Sequence, residues 1–491
     1  MSHDGVFVES DKAFITTYGS TYEPVSIVHR PPRRRLSRFI YWALGALLSF
    51  RLSLIIGLYI YEHPSSSVAT LDPNFVANCH VLLTPSPSIY LDRLGHLVAA
   101  LQGSEDSQPG VWIAEPGPSS SYFLGVFSSS DWWLSERPFL IAITPASDRT
   151  SPNITLLTPK FEELRAQLKT IPEGMERYVQ WVSWQESDSP YAVLARHLGS
   201  VGEVIFDPMV RSFVSMGVKA AAMDADETKY MQLRSGAKTA GMETAVALIR
   251  ERKDEREVGL LRCANQMTLH AIRKVRSQMY LGITESQTRS ILEREMAATG
   301  LIGGSGLILF GENAALPHGS GTDRSLSKED MILIDAGGKW GGYVADITRT
   351  FALPDSKIPK SHLDIWETVR RAQYAPFELL RLSNASHPPA LGELDIAARQ
   401  VITDTMSDKL SSSSVPDYSV FSHRLGHGIG LEGHEGPYLV QGPLGEKKAK
   451  TGYVFSLEPG IYLPSDGPRR MGVRGVGVRL EDCFVVMEDE H

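Results

Sequence analysis

The chain has 491 residues, of which 42% are hydrophobic and 22% are charged, and its formal net charge at pH 7 is −8. This composition is ordinary for a globular protein, and the length suits two or three domains. The acidic balance, with no basic stripe interleaved with aromatic residues, argues against a nucleic-acid partner. Three cysteines cannot build a disulfide framework, and their spacing fits no zinc ribbon.

The N-terminal region has the pattern of a membrane anchor. Residues 1–38 are polar and rich in proline and arginine, which predicts a disordered basic tail on the cytoplasmic side. Residues 39–61 are apolar except for Arg51 and two serines, and a bilayer core takes about 20 residues to cross. Arg51 opposes insertion by roughly 2.5–3.5 kcal/mol, which the apolar neighbours offset. We therefore predict a single transmembrane helix, a signal anchor, with residues 62–72 as a stem.

This topology defines an expected location. It predicts a single-pass type II membrane protein whose remaining chain is lumenal or extracellular. Two N-glycosylation sequons, at Asn153 and Asn384, would lie on that side and predict a glycoprotein. The competing interpretations are a buried helix and a cleaved signal peptide, and the long polar segment before the apolar stretch disfavours the latter.

The body of the chain has two parts. Residues 73–240 alternate short strands and helices, which indicates an α/β domain, and carry no evident catalytic constellation. Residues 241–491 open with a long amphipathic helix. A second helix begins at Thr284, with Gln287 completing a capping box. A third begins near Ser361, and Pro376 is expected to kink or end it.

Two aspartates flank a turn in the second part. Asp335 ends a short apolar run, and Asp346 lies in a segment rich in β-branched residues, with four glycines between them. In a regular hairpin centred on that turn the two side chains would face each other, with Cβ atoms about 4.5–5.5 Å apart. Carboxylates so placed can hold two cations. The alternative is a solvated hairpin whose aspartates merely flank the turn, and a β-bulge would spoil the register.

Further candidate ligands lie downstream. His427 is surrounded by glycines that argue against a helix, and His423 and His434 lie nearby. Glu458 and Glu481 each occur in a strand-like apolar segment, where an unpaired carboxylate is costly. The alternatives are structural histidines and glutamates in salt bridges, for example with Arg479. Four carboxylates and one imidazole suit a pair of hard or borderline divalent cations.

These segments, in this order and spacing, resemble the pita-bread-fold metallopeptidases of the aminopeptidase P, prolidase and creatinase subgroup. The resemblance covers about residues 73–491 and is strongest from Glu255 onward. It implies an α+β chain, with a creatinase-like N-terminal α/β domain at 73–240 and a pita-bread catalytic domain at 241–491. The segments that carry it are Asp335-Ala336-Gly337, Asp346-Ile347-Thr348-Arg349-Thr350-Phe351, Gly426-His427-Gly428-Ile429-Gly430-Leu431, Glu458-Pro459-Gly460 and Arg479-Leu480-Glu481-Asp482.

The resemblance also implies residue roles. Asp335 would bind one divalent metal ion, His427 and Glu458 the other, and Asp346 and Glu481 both, with manganese favoured over cobalt or zinc. Glu458 would be the general base, and the resemblance implies a homodimer. The outer pocket residues that it implies are His318, His423, His434 and Arg479. Of these, His434 would contact the scissile carbonyl. Arg424 departs from the pattern, because relatives usually have glycine after the first histidine, and it is expected to alter the pocket rim.

The implied activity is removal of the N-terminal residue from peptides with proline in second position, an Xaa-Pro aminopeptidase. The alternatives are a prolidase restricted to Xaa-Pro dipeptides and a specialised peptidase in the maturation of a peptide or secondary metabolite. Metal-free chemistry like that of creatinase is disfavoured because all five ligands are present. A non-enzymatic binding module is disfavoured for the same reason.

Overall fold

The computed structural model describes residues 14–18, 70–103, 108–223, 245–383, 387–407, 420–466 and 473–487. The chain forms two compact units, Thr84–Arg250 and a second unit that joins Met1–Leu83 to Glu251–His491. Both units combine helices with sheets, so the mixed α and β class is confirmed. The boundaries expected for the N-terminal domain, residues 73 and 240, each precede the corresponding end of the unit Thr84–Arg250. The helix Pro73–Val81 belongs to the second unit.

The elements within the described residues are numbered here in chain order. The strands are β1 (Phe14–Tyr18), β2 (Val111–Ala114), β3 (Leu140–Pro145), β4 (Pro152–Pro159), β5 (Val179–Trp184), β6 (Val204–Phe206), β7 (Ile302–Phe310), β8 (Ile332–Trp340), β9 (Tyr343–Val344), β10 (Ile347–Phe351), β11 (Gly426–Gly428), β12 (Glu435–Leu439), β13 (Val454–Leu457), β14 (Gly460–Leu463), β15 (Val476–Arg479) and β16 (Asp482–Met487). The helices are α1 (Pro73–Val81), α2 (Pro87–Leu101), α3 (Pro118–Leu124), α4 (Glu163–Gln167), α5 (Pro190–Leu198), α6 (Ser212–Met223), α7 (Ala245–Glu251), α8 (Glu255–Gln278), α9 (Glu285–Ala298), α10 (Lys360–Leu382) and α11 (Leu391–Ser407).

The unit Thr84–Arg250 is built on a five-stranded sheet of order β5-β4-β3-β2-β6. Strand β3 is antiparallel to both neighbours, whereas β4 with β5 and β2 with β6 are parallel pairs. Every residue of β2 and β3 is buried, which explains why both read as continuous apolar runs rather than as alternating ones. Among the described residues of this unit, no group of histidine, cysteine and acidic side chains is placed to hold a metal ion.

The second unit contains a five-stranded sheet of order β1-β16-β13-β11-β12 and a smaller sheet of order β10-β8-β7, with β9 also paired to β8. Strands β14 and β15 form a separate antiparallel pair. Helices α8 and α9 pack against β7 and β8 around one apolar core that includes Leu260, Ile308 and Ile334. Helices α10 and α11 pack against each other around a second core.

Local sequence signals mark the starts of two of these helices, and a proline lies inside a third. The Thr284 hydroxyl accepts a hydrogen bond from the Gln287 backbone N–H, and the Gln287 side chain accepts one from the Thr284 N–H, so the predicted capping box of α9 is confirmed. Asp254 and Glu257 form an equivalent box at the start of α8. Pro376 does not end α10, which continues to Leu382 with Pro376 itself buried in the core-facing surface.

A disulfide between Cys79 and Cys263 joins α1 to α8 across 184 residues of sequence. Both cysteines are buried, and the Trp340 indole N–H donates to the Cys79 carbonyl oxygen at 3.1 Å. The cysteine count ruled out a framework of several bridges and did not reveal this single one, because the two residues meet only through tertiary packing. Cys483 stays free and buried in β16, as predicted for a strand residue.

Strand β1 contradicts the predicted topology. It pairs antiparallel with β16, from Phe14 opposite Met487 to Tyr18 opposite Cys483. Residues 14–18 are therefore not disordered, and they share a sheet with the rest of the second unit. A single crossing at residues 39–61 would place the two on opposite sides of a bilayer.

The predicted type II membrane location is therefore wrong. The lumenal or extracellular assignment of the sequons at Asn153 and Asn384 depended on that location and is wrong as well. Within the described part of the chain, no helix has both the length and the hydrophobicity needed to span a membrane. The predicted span at 39–61, the stem residues up to 69 and the sequon residue Asn384 lie outside that part.

The disulfide is open to a direct test. We expect the unfolded, unreduced chain to show one titratable thiol, that of Cys483, and the double substitution Cys79→Ser/Cys263→Ser to lower the free energy of unfolding by about 2–5 kcal/mol, because the bridge closes a long loop. Thiol titration and denaturant unfolding measure the two quantities. A reductant should destabilise the wild type and leave the double variant unchanged, and three reactive thiols before reduction would contradict the bridge.

Candidate metal centre

The two predicted aspartates lie on one hairpin, but in a different register from the expected one. Asp335 is in β8 and pairs with Thr348 of β10, two residues beyond Asp346, which falls between β9 and β10. Because side chains alternate along a strand, a shift of two residues keeps both aspartates on the same face of the sheet. A Cβ at Gly337 would lie 2.0 Å from the Ala345 carbonyl oxygen, so this close approach of the strands requires glycine.

The remaining predicted ligands come from the other strands of the second unit. His427 is in β11, Glu458 comes directly after β13, and Glu481 lies between β15 and β16. Strand β11 runs between β12 and β13, and a Cβ at Gly426 or Gly428 would approach a carbonyl oxygen of those strands within about 2 Å. The glycines that argued against a helix at His427 therefore serve this close packing.

The structure brings all five predicted ligands together. Asp335, Asp346 and Glu481 have carboxylate oxygens within 4.8 Å of one another, and His427, Glu458 and Glu481 form a second group of the same kind. Glu481 belongs to both. His427 Nε2 lies 3.2 Å from Glu458 Oε1 and 3.8 Å from Asp346 Oδ2.

Burial and mutual repulsion strongly perturb these carboxyl groups. Burial, together with the charges of Glu458 and Asp335, raises the pKa of Glu481 to about 8. Burial also raises the pKa of Glu458 to about 7, with Asp335 adding to the effect and Arg479 opposing it. The pKa of Asp346 lies well above its ordinary value because of burial and the charges of Glu481 and Asp335. The cluster is thus short of positive charge.

The donor atoms fit divalent cations. Glu481 Oε2 accepts a hydrogen bond from the Thr348 hydroxyl at 2.7 Å, while its buried Oε1 has no partner among the described residues. His427 Nδ1 lies 3.2 Å from the Gly428 carbonyl oxygen, which can only accept, so Nδ1 carries the proton. The lone pair of His427 Nε2 then faces the carboxylate oxygens. A bound cation would satisfy both the lone pair of His427 Nε2 and the unpartnered, buried Oε1 of Glu481.

Arg479 is the principal fixed cation beside the cluster. Its guanidinium donates to Asp335 Oδ2 at 2.6 Å and to the Tyr462 hydroxyl at 3.0 Å. Although burial lowers it, interactions with Tyr462 and Asp335 raise the pKa of Arg479 above its ordinary value. Arg479 also donates to the Pro317 carbonyl oxygen at 3.3 Å, next to His318. The alternative that Glu481 simply pairs with Arg479 does not hold, because the ion pair is made with Asp335.

The predicted pocket histidines occupy different positions around the cluster. His423 Nδ1 donates to the Arg424 carbonyl oxygen at 2.8 Å, so its Nε2 accepts from the Tyr462 hydroxyl, also at 2.8 Å. The His434 ring centroid lies 4.0 Å from that of His427. Burial lowers the pKa of His423 and of His434 to about 4. His318 is exposed, and its charge contributes to the low pKa of His434.

Two residues of the site were not predicted. Tyr462 connects Arg479 to His423, and Thr348 binds Glu481 through its hydroxyl while accepting from Arg479 Nε at 3.1 Å. Thr348 occurs inside one of the motif segments that carry the resemblance, and Tyr462 lies two residues beyond another. The hydroxyl of Tyr462 in the otherwise apolar strand β14 was an available signal, whereas Thr348 shares β10 with Arg349 and Thr350 and was not singled out by its polarity.

The metal-free protein should show a characteristic pH dependence. The folded-state pKa of Glu481 lies above the ordinary 4.5, so the stability that depends on its protonated form is complete below about pH 4.5 and is lost as the pH rises to about 8. We expect Glu481→Gln to reduce this loss in thermal unfolding with chelator present. Glu293→Gln, at an exposed position of α9, is the matched control and should leave the profile unchanged. A steeper loss in Glu481→Gln would contradict the repulsive cluster.

Comparison with known proteins agrees with this geometry. Residues 259–488 match the model of metallopeptidase family M24. An uncharacterized peptidase of Schizosaccharomyces pombe is 34% identical over 403 residues, which cover 81% of this chain and 79% of that protein.

Two solved structures share the fold. Dipeptidase PepE from Mycobacterium ulcerans has a TM-score of 0.65 and 25% identity, and the match covers 82% of this chain and 94% of that one. Aminopeptidase P from E. coli, solved with the inhibitor Pro-Leu, has a TM-score of 0.63 at 19% identity, with 82% and 93% covered. The second likeness concerns the fold alone. The family resemblance seen in the sequence is thus confirmed, and the chain belongs to the pita-bread metallopeptidases of family M24.

Proposed function

We propose that this chain is a two-metal Xaa-Pro peptidase, which releases the N-terminal residue from peptides with proline in second position. The observation that supports it best is the meeting of Asp335, Asp346, His427, Glu458 and Glu481 in one buried cluster short of positive charge. Family membership supports a metallopeptidase, and the sequence motifs and pocket histidines favour the Xaa-Pro specificity.

The donor groups suggest how two ions would be held. Asp335 would bind one ion, His427 and Glu458 the other, and Asp346 and Glu481 both. Glu481 is shared between the two groups of converging ligands, as a bridging residue must be. Four carboxylates with one imidazole suit manganese, which accepts hard and borderline ligands.

The protein groups around the cluster have definable roles in peptide hydrolysis. A pair of divalent ions supplies charge that polarises the scissile carbonyl and makes a water molecule more acidic. Glu458 accepts the proton of the attacking water at a carboxylate oxygen and returns it to the leaving proline nitrogen. The Arg424 guanidinium donates to His434 Nδ1 at 3.3 Å, which leaves the His434 proton on Nε2. That N–H is free to donate to the carbonyl oxygen as negative charge develops.

A second candidate function is a peptidase restricted to dipeptides. It is favoured by the likeness to dipeptidase PepE, which extends over 82% of this chain. The chemistry at the cluster would be the same in both cases. The two functions differ in whether the site accepts further residues after the proline.

Metal analysis and peptide assays test the proposed function together. We expect the purified chain to bind two divalent ions and to cleave Ala-Pro or Ala-Pro-Ala, but not Ala-Ala or Ala-Ala-Ala, with activity lost to a chelator and restored by Mn²⁺. Asp335→Asn should lose bound metal and nearly all activity, because a cluster ligand is removed. Asp364→Asn, at a position of α10 ion-paired with Lys360, is the control. Full activity without bound metal, or with Asp335→Asn, would overturn the proposal.

The proposed role of His434 predicts a kinetic signature. His434→Ala should lower kcat by about 10²–10³-fold with a much smaller change in KM, because the lost hydrogen bond is made to charge that develops in the transition state. Steady-state kinetics on the metal-loaded variant measure both constants, and its metal content serves as the control. An increase in KM alone would assign His434 to substrate binding instead.

A further inference from the structure

The loop that carries His318 is held by a buried carboxylate outside the metal cluster. This loop runs from Phe310, the last residue of β7, to Arg324. Glu285, the first residue of α9, is 2% exposed. Its carboxylate accepts a hydrogen bond from the Phe310 backbone N–H at 2.7 Å and another from the Arg324 backbone N–H at 3.2 Å. One side chain therefore holds both ends of the loop.

Asn313 links the two halves of the same loop. Its amide nitrogen lies 3.0 Å from each oxygen of the Glu285 carboxylate and 2.9 Å from the Thr322 hydroxyl. A carboxylate only accepts, so the nitrogen of the amide faces Glu285 and the oxygen faces away. That oxygen accepts from the Ser320 hydroxyl at 2.9 Å. Asn313 precedes His318 in the chain and its two hydroxyl partners follow it, so these hydrogen bonds span the histidine.

The proposed chemistry at the metal cluster does not use this polar base, which consists of Glu285 and Asn313. Glu285 belongs to none of the groups of described residues that could hold a metal ion. Burial raises its pKa, and the hydrogen bonds from Phe310, Asn313 and Arg324 oppose the rise. Burying a carboxylate is costly unless it is hydrogen-bonded. Because these donors all belong to the loop or its ends, the bonds that offset the cost of burial also fix the loop.

The other end of the loop contacts the site. The Pro317 carbonyl oxygen, next to His318, accepts a hydrogen bond from Arg479 at 3.3 Å. The start of the loop packs directly on β15, because a Cβ at Gly477 would lie 1.6 Å from the Ala314 carbonyl oxygen. The loop is thus bound to the strand that ends at Arg479, and its own polar base determines where its exposed histidine lies.

We propose that Asn313 and Glu285 are positioning residues for His318, and that they hold this histidine at the place beside Arg479 where it meets the peptide. The inference rests on the proposed Xaa-Pro activity, in which His318 is a pocket residue. Because His318 is exposed, core packing does not hold it. The polar base supplies that constraint before a substrate binds, and so reduces the cost of ordering the loop on binding.

Two other roles for the polar base give different results. If it only stabilised the fold, its removal would lower the free energy of unfolding and leave the activity of the folded enzyme unchanged. If it acted on Arg479 through the Pro317 carbonyl oxygen, its removal would reduce activity independently of His318. The two losses would then multiply when both residues are replaced.

A double-variant cycle on the metal-loaded enzyme tests the inference, with Ala-Pro and Ala-Pro-Ala as substrates. We expect Asn313→Ala to lower kcat/KM by roughly 10–100-fold with unchanged metal content, since a misplacement of about 1 Å can cost about 10²-fold. His318→Ala should show the same division of the loss between kcat and KM. Adding Asn313→Ala to His318→Ala should lower activity by less than about threefold more, because the side chain to be positioned is already gone.

An exchange of charge separates hydrogen bonding from side-chain volume. Asn313→Asp places a carboxylate oxygen where the amide nitrogen lies, 3.0 Å from Glu285, so it should lower kcat/KM more than Asn313→Ala does. Adding Glu285→Gln supplies an N–H group to the new carboxylate and should restore part of the activity. Asn265→Ala, at a buried asparagine of α8 that donates to the Leu261 carbonyl oxygen, is the matched control and should leave both kinetic constants unchanged.

Hydrogen exchange gives a measure that does not depend on turnover. Amide exchange in residues 311–324 should rise roughly tenfold in Asn313→Ala and stay unchanged in His318→Ala. Unchanged exchange in that segment, full activity of Asn313→Ala, or losses that multiply in the double variant would each overturn the inference. If the wild type cleaves no Xaa-Pro substrate, the proposed function itself fails, and the exchange then decides separately whether the polar base fixes the loop.

Discussion

Repulsion among buried carboxylates is the constraint on which the catalytic unit depends. Asp346, Glu458 and Glu481 are held so close together that burial and their neighbours raise the pKa of each. Such an arrangement opposes folding unless positive charge is supplied. Arg479 supplies part of it through Asp335, and the unpartnered oxygen of Glu481 marks where more is needed. Repulsion among these carboxylates thus lowers the stability of the folded chain, and bound cations would restore that stability.

The strands that carry the candidate ligands pack closely together. Glycines at 337, 426 and 428 allow the backbones to approach within distances that no side chain would tolerate. Around the cluster, hydrogen bonds run from Arg479 through the Tyr462 hydroxyl to His423 and through Thr348 to Glu481. The polar groups linked by these hydrogen bonds therefore have fixed orientations before a substrate arrives.

The sequence predicted the members of the cluster better than their arrangement. The five candidate ligands were recognisable because each occurs in a short motif of fixed spacing, and Asp335 and Asp346 could be placed on one hairpin. Their register was wrong by two residues, since the turn geometry around Gly341 and Gly342, both with positive φ, is not readable from composition. The error did not move either side chain to the other face, because the period of a strand is two.

Features that depend on tertiary contacts were harder to predict from the sequence. The pairing of Cys79 with Cys263 and the pairing of β1 with β16 join segments far apart in sequence, and no local pattern encodes either. The apolar stretch at 39–61 was interpreted from its length, its hydropathy and the basic residues before it, and the sheet partner of residues 14–18 is what corrects the topology. Tyr462 and Thr348 were missed because the role of a hydroxyl group in a strand depends on the groups that lie opposite it in the folded chain.

The bridge between Cys79 and Cys263 has a consequence for the integrity of the chain. The two cysteines flank the whole unit Thr84–Arg250, so any peptide bond between them lies within one covalent ring. A proteolytic nick in that unit would open the ring without releasing a fragment. On an electrophoresis gel, such damage would stay hidden until the sample was reduced.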